Sequence, residues 1–248
     1  MAGRTPKAAD RTAPYRTRAD RTDPDGTDLH PTDRHRWSDR WSDRWWTLVS
    51  RVYDPAVGLV GWHGGLRDLV DDIVTGTVLD AGCGPAYLAQ VLTARGVAYV
   101  GVDCNAAMLS RARGRPLSGQ RPDAAVRDAA VRGAAARSDF VQADLAALPF
   151  ADSTFDVVLA TGVLGLLELG HRGTALREMA RVSKRGVRLL EPVHRPGAPA
   201  RLARARLIGL VRDRPLDLGE LAAAGLHVES VGAPLLAGVY TPVRAGRV

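Results

Sequence analysis

The 248-residue chain is 46% hydrophobic, enough for one buried core or at most two domains, and it carries a formal net charge of +7. Its two cysteines, Cys83 and Cys104, exclude a disulfide framework and stand in no metal-ligand spacing. No charged-then-apolar leader opens it and no run of about 18 apolar residues interrupts it, so the expected setting is a reducing cytoplasm.

The charge is unevenly placed. The first 46 residues hold ten basic and eight acidic side chains. The excess lies around Arg111–Arg137 and Arg172–Arg214. A basic balance suits nucleic acid, anionic lipid or an acidic substrate. Without aromatic residues interleaved among the arginines, solvated basic faces are the favoured reading and no nucleic-acid partner is expected.

Residues 1–44 form an Arg-, Asp- and Trp-rich tail. Up to about residue 36 it lacks the large apolar side chains that offset ordering entropy, so disorder is expected. RWSDRWSDRWW follows, a tandem WSDR repeat. In a helix Trp37, Trp41 and Trp45 share one face, with Arg36, Arg40 and Arg44 beside them. Two readings are open. One is peripheral membrane contact through the Trp/Arg face. The other is a repeat expansion at the margin of the tail, which the interleaved Asp39 and Asp43 favour.

An ordered domain is expected over residues 45–248. Leu66, Leu69, Val70 and Ile73 keep helical spacing up to Gly76. Thr77–Asp80 then reads as a strand, followed by a helix through Leu88, Val91 and Leu92 that stops at Gly96. Tyr99–Asp103 is a second strand, and Asn105 caps a helix through Met108 and Leu109. Within 111–137 the pattern lapses into a low-complexity insertion with a tandem DAAVR repeat and no evident chemistry. Phe140–Asp144 and Phe155–Ala160 are strands three and four. A helix through Leu176, Met179 and Val182 leads to strand five, Val187–Glu191. The alternation predicts an α/β fold: a Rossmann-like, doubly wound, mostly parallel seven-stranded sheet. After Pro199, Arg201–Arg212 reads as a basic helix and LGELAAAG as another. His227–Val231 and Val239–Val243 look like an antiparallel closing pair, with Pro242 placing the last strand at an edge or at its end.

In such sheets ligands bind beyond the carboxyl ends of the strands, where strand order reverses. The residues there are Asp80 to Gly84, Asp103 with Cys104 and Asn105, Asp144 with Leu145, Thr161 with Gly162, and Glu191. Gly82 and Gly84 allow a tight turn with no Cβ in the way. Asp103, about twenty residues past the glycines, is placed to accept both hydroxyls of a ribose. Asp144 can accept from an exocyclic amino group, and Leu145, Ala106 and Met108 offer apolar walls for a flat base. A dinucleotide loop, GxGxxG, would want glycine at position 87, where this chain has Tyr87, and no GK[ST] follows to make a P-loop. A cofactor with adenosine but no phosphate fits the loop better.

VLDAGCG, GVDCN with Met108, DFVQADLAALPFADSTFDVVLA and REMARVSKRGVRLLEP together resemble the successive motifs of class I S-adenosylmethionine-dependent methyltransferases. The likeness runs from about Tyr53 to Val193. It is nearest to the small-molecule and lipid group that includes the ubiquinone/menaquinone and phosphatidylethanolamine methyltransferases. The resemblance implies S-adenosylmethionine as cofactor and a small-molecule or lipid methyl acceptor. It implies that Asp80, Gly82 and Gly84 lie beside the methionine moiety, Asp103 and Cys104 by the ribose, Asp144 and Leu145 by the adenine, and Thr161 near the amino-acid end. The chain departs from the family in having Ala86 for a common glycine, GVLGLLE where a histidine pair is frequent, and KRG where two glycines are frequent. No catalytic residue is assigned. Base candidates are His194, Glu191, Glu168, His171 and Tyr53, while His63 and His227 read as structural. The alternative function is a catalytically idle binding or scaffold protein that retains the cofactor fold. Nothing in the sequence assigns an oligomeric state or a metal.

Overall fold

The computed structural model describes residues 62–115, 138–167, 169–194, 215–235 and 238–248. The tail and its Trp repeat, the insertion from residue 116, the expected basic helix Arg201–Arg212, and the candidates Tyr53 and Glu168 lie outside these residues.

Helix α1 spans Trp62–Leu69, shorter than the spacing to Ile73 predicts. Beyond Leu69 the chain tightens through i→i+3 bonds, Val70 N–H to Arg67 and Ile73 N–H to Val70, yet both side chains stay buried. A helical pattern and a tight turn can bury the same side chains, which is why periodicity overran the end. Strand β1 is Thr77–Ala81, helix α2 Tyr87–Thr93 and strand β2 Ala98–Asp103. Asn105 caps helix α3, Ala106–Gly114, its side-chain oxygen accepting from the N–H groups of Ala107 and Met108. Residues 111–114, expected inside the insertion, continue α3 because Leu109 and Ala112 extend its buried stripe. Strands β3 (Ser138–Gln142), β4 (Val157–Thr161) and β5 (Gly186–Pro192) follow, with helix α4 (Leu169–Val182) before β5. Helix α5 (Leu218–Ala223), β6 (Leu226–Val231) and β7 (Tyr240–Arg247) complete the domain.

The seven strands lie in the order β3-β2-β1-β4-β5-β7-β6. β7 runs antiparallel to both neighbours and the other pairings are parallel. Strand order reverses between β1 and β4. Contrary to the expectation from Pro242, β7 is an interior strand and β6 is the edge. The proline fits because Pro242 donates nothing toward β6 just where β6 runs out: the last pair is Val231 with Val243, and Pro242 still accepts from Gly232 N–H at 2.8 Å.

Side chains alternate between two apolar layers, as strand geometry requires. Leu79, Val100, Val158 and Leu189 meet α4 and α5, whereas Val78, Tyr99, Leu159 and Leu190 meet α1, α2 and α3. Layers on both faces fix the sheet and leave its carboxyl rim as the open side.

Candidate functional site

After β1 the chain turns through Gly82 and Gly84, at φ +78° and +51°. A Cβ at position 82 would stand 2.5 Å from Val163 Cγ2, so here bare backbone packs on the turn after β4. At Gly84 a Cβ would meet nothing within 4 Å, so that glycine serves the left-handed conformation and leaves the loop open on that side. The N–H groups of Gly82 and Cys83 both donate to the Val102 carbonyl, at 2.8 and 2.9 Å, pinning the loop to β2. Asp103 completes the clasp: Oδ2 accepts from Gly84 N–H at 2.9 Å and Oδ1 from Asn105 N–H at 2.8 Å. Ala86 is fully buried in the left-handed region, φ 56° and ψ 53°, a conformation that costs alanine about 1 kcal/mol.

A pocket opens beyond the carboxyl ends of β1 and β4. Its walls are Trp62, His63 and Leu66 of α1, Asp80 of β1, Gly82 to Pro85 of the loop, Tyr87 and Leu88 of α2, and Thr161 of β4. The His63 and Tyr87 rings stack with centroids 3.9 Å apart, and the Arg67 guanidinium lies 5.8 Å from the Tyr87 centroid. Trp62 meets Tyr240 edge to face at 4.8 Å and closes the pocket over Gly162.

Asp80 is buried, with Oδ2 accepting from the Tyr99 hydroxyl at 2.7 Å and Oδ1 unpartnered. Burial pushes its pKa up to about 6; the Tyr99 hydrogen bond opposes that rise and the nearby Asp103 carboxylate adds to it. Burial also raises Asp103, against the two backbone N–H bonds, and it raises the Cys83 thiol. A buried carboxylate with a vacant acceptor, in a pocket beside open backbone, is suited to a cation-bearing polar ligand.

Of the residues the sequence singled out, Asp80, Gly82, Gly84 and Thr161 come together around this pocket. Asp103 is joined to it through Gly84. Cys104 is exposed on the next loop, where its carbonyl accepts from the Gln142 side chain at 2.9 Å. Asp144 lies two residues past the end of β3, its Oδ1 held by Ala146 N–H at 2.8 Å, and Leu145 is buried in the α4 layer. Among the base candidates, Glu191 is buried but falls in phase with Leu189, on the face opposite Asp80. Its Oε1 accepts from Val163 and Leu164 N–H at 2.8 and 2.9 Å and so holds the turn after β4. Burial pushes its pKa to about 7, against those backbone bonds and the charge of Arg172. His194 is exposed and His171 half-buried, and neither lines the pocket. Sequence reasoning missed Trp62, His63 and Tyr99. His63, expected to be structural, lines the pocket. The available signal was the adjacent Trp-His pair opening an amphipathic helix before the glycine loop.

Residues 79–190 match a family model described as a methyltransferase domain. Over 61 residues the chain is 51% identical to the ubiquinone/menaquinone biosynthesis C-methyltransferase UbiE of Ectopseudomonas mendocina, covering 24% of this chain and 23% of that one. Over 129 residues it is 30% identical to the demethylmenaquinone methyltransferase of Renibacterium salmoninarum, covering 52% of this chain and 46% of that one. These matches therefore span less than half of either relative. The fold is similar to that of magnesium protoporphyrin IX methyltransferase from Synechocystis with bound S-adenosylhomocysteine, at TM-score 0.57 and 19% identity over 77% of this chain and 84% of that one.

Proposed function

We propose that residues 79–190, which match a family model described as a methyltransferase domain, act as a class I, S-adenosylmethionine-dependent methyltransferase, and that the chain transfers a methyl group from S-adenosylmethionine to a small-molecule or lipid acceptor. The observation that carries the reading is the pocket at the β1/β4 switch point, with Asp80, Gly82, Gly84 and Thr161 converging on it and Asp103 clasping its loop.

The residues fit the cofactor. Asp80 offers an unpartnered acceptor suited to an ammonium group. Each Asp103 oxygen spends one lone pair on a backbone N–H and keeps another for a ribose hydroxyl. Tyr87 opens α2 where a pyrophosphate loop needs glycine, which favours an adenosine without phosphate. When bound, the cofactor supplies a methyl group on a sulfonium, a strong leaving group. The protein's share is then position and exclusion of water: the loop fixes the ligand, and Trp62 and Tyr240 cover the end of β4. No described residue is assigned as a base for the acceptor.

The names of the two relatives direct the first acceptor trials to demethylated quinone precursors; the resemblance to phosphatidylethanolamine methyltransferases adds aminophospholipids. Calorimetric titration of the purified chain is expected to show saturable binding of S-adenosylhomocysteine, and mass spectrometry a gain of one methyl group on one of these acceptors. Saturable NADH binding without S-adenosylhomocysteine binding would overturn the reading. Cofactor binding with no methylated acceptor would favour the idle scaffold.

A further inference from the structure

Two carboxylate oxygens are buried without a partner among the described residues, Oδ1 of Asp80 and Oε2 of Glu191. Of these residues Asp80 alone lines the pocket. Its Oδ2 is taken by the Tyr99 hydroxyl at 2.7 Å. Tyr99 stands on β2 opposite Val78, two residues before the Gly101 that pairs with Asp80, so both side chains lie on one face and meet diagonally. The Tyr99 ring is fully buried and meets Phe140 edge-on at 6.1 Å. Phenylalanine would fill that space equally well. What tyrosine adds is one donor, aimed at one oxygen of the carboxylate.

We propose that Tyr99 is a positioning residue of the cofactor site: by taking Oδ2 of Asp80, its hydroxyl fixes the carboxylate and leaves the unpartnered Oδ1 for the ammonium of the cofactor's methionine end. This rests on reading the pocket as the S-adenosylmethionine site. The hydroxyl does two things at once. It stops the carboxylate from rotating, and it stabilises the ionised form that an ammonium requires. Burial and Asp103 push Asp80 the other way. The titratable groups around Asp80 are Tyr99 and Asp103 from β2, Cys83 from the loop, and His63 and Tyr87 across the pocket from α1 and α2. β4 contributes Thr161, which does not titrate in this range.

The sign follows directly. Removing the hydroxyl removes the influence that lowers the Asp80 pKa, so its protonation extends to higher pH and ammonium binding weakens most on the acid side. His63 is present in wild type and variant alike, so their difference reports Asp80.

The test is calorimetric titration of the full chain between about pH 5.5 and 8.5 with two probes, S-adenosylhomocysteine and 5′-methylthioadenosine. The second keeps the adenosine and lacks the amino-acid end. In Tyr99→Phe, S-adenosylhomocysteine affinity is expected to fall about tenfold near pH 6.5 and less near pH 8.5, the loss of one hydrogen bond to a charged group. Affinity for 5′-methylthioadenosine should stay within about twofold. Equal loss of both ligands, or no loss of the first, overturns the proposal. Should Tyr99→Phe fail to fold, Asp80→Asn carries the test: S-adenosylhomocysteine alone should weaken, and the wild-type pH dependence should disappear. If that dependence persists in Asp80→Asn, the proposal falls. If the wild-type chain binds neither probe, the cofactor reading itself fails, and this inference with it.

Discussion

At the amino-terminal rim of the sheet, Asp156 gives its carboxylate to Thr77, accepting from the backbone N–H at 2.8 Å and the hydroxyl at 2.9 Å, and to Lys184 at 3.1 Å. Burial raises its pKa, but those bonds outweigh burial and the net shift is downward. At the carboxyl-terminal rim, Asp80 and Glu191 are more deeply buried, each keeps an unpartnered oxygen, and their pKa values rise to about 6 and about 7. Arg181 repeats the contrast. It ends α4 with bonds to Glu178, to Asp152 and to the carbonyls of Leu148 and Phe150. The same strands thus end in a rim whose polar groups satisfy one another and in a rim that withholds bonds. Unmade bonds at buried positions cost stability, and of Asp80 and Glu191 only Asp80 lines the pocket, where a ligand could supply the missing bond.

The largest test of that contrast is Gly82→Val. A side chain there collides with Val163 and must adopt a positive φ, so S-adenosylhomocysteine affinity should fall about 100-fold or more by calorimetry. Retained affinity would mean that the turn after β4 yields. Next comes acid–base behaviour. Asp80 and Glu191 have folded-state pKa values above their unfolded ones. Each therefore favours the folded state fully below about pH 4 and withdraws that support as pH rises through about 6 and about 7. Asp80→Asn or Glu191→Gln, free of ligand, should gain about 2 kcal/mol in urea unfolding near pH 8, a gain that fades toward pH 4. Asp72, lowered to about 2 by its hydrogen bonds from Arg188, behaves oppositely and loses its contribution as pH falls from about 4 toward 2. A gain independent of pH in either amide variant would show that these two buried carboxylates are not strained by ionisation.

Asp156→Ala should cost about 1–2 kcal/mol in the same unfolding experiment, allowing for its partial exposure, with cofactor affinity unchanged. A parallel loss of affinity would mean that the two rims are coupled through β1 and β4. The smallest effect is expected at Ala86→Gly. Relief of the left-handed alanine outweighs the added freedom of the unfolded chain by about 0.5 kcal/mol, measurable as a small rise in melting temperature.

Much of the fold was legible because its strands are short apolar runs between turn residues. Leu79, Val100, Val158 and Leu189 announce themselves by burial pattern alone. Asp103 was legible by spacing, since a carboxylate ending the second strand faces the loop that precedes it. What stayed hidden depends on contacts distant in sequence. Nothing local shows that Glu191 reaches back to Val163 and Leu164, or that the hydroxyl of Tyr99 meets Asp80 across two strands. Pro242 misled because propensity knows the missing donor but not where the neighbouring strand stops. Ala86 replaces a common glycine, and the cost of that change appears only with its φ angle.

The strand order also sets a timetable. β6 is made before β7, yet it is held in the sheet only through β7, and β5 pairs with β7 along seven residue pairs from Gly186–Gly246 to Pro192–Tyr240. During synthesis, five parallel strands can assemble while β5 shows a bare edge and β6 waits without a partner. Until the ribosome has released residues 240–247, that edge is open to any extended segment nearby, so the span between β5 and β7 is the interval in which edge pairing with another chain is least opposed.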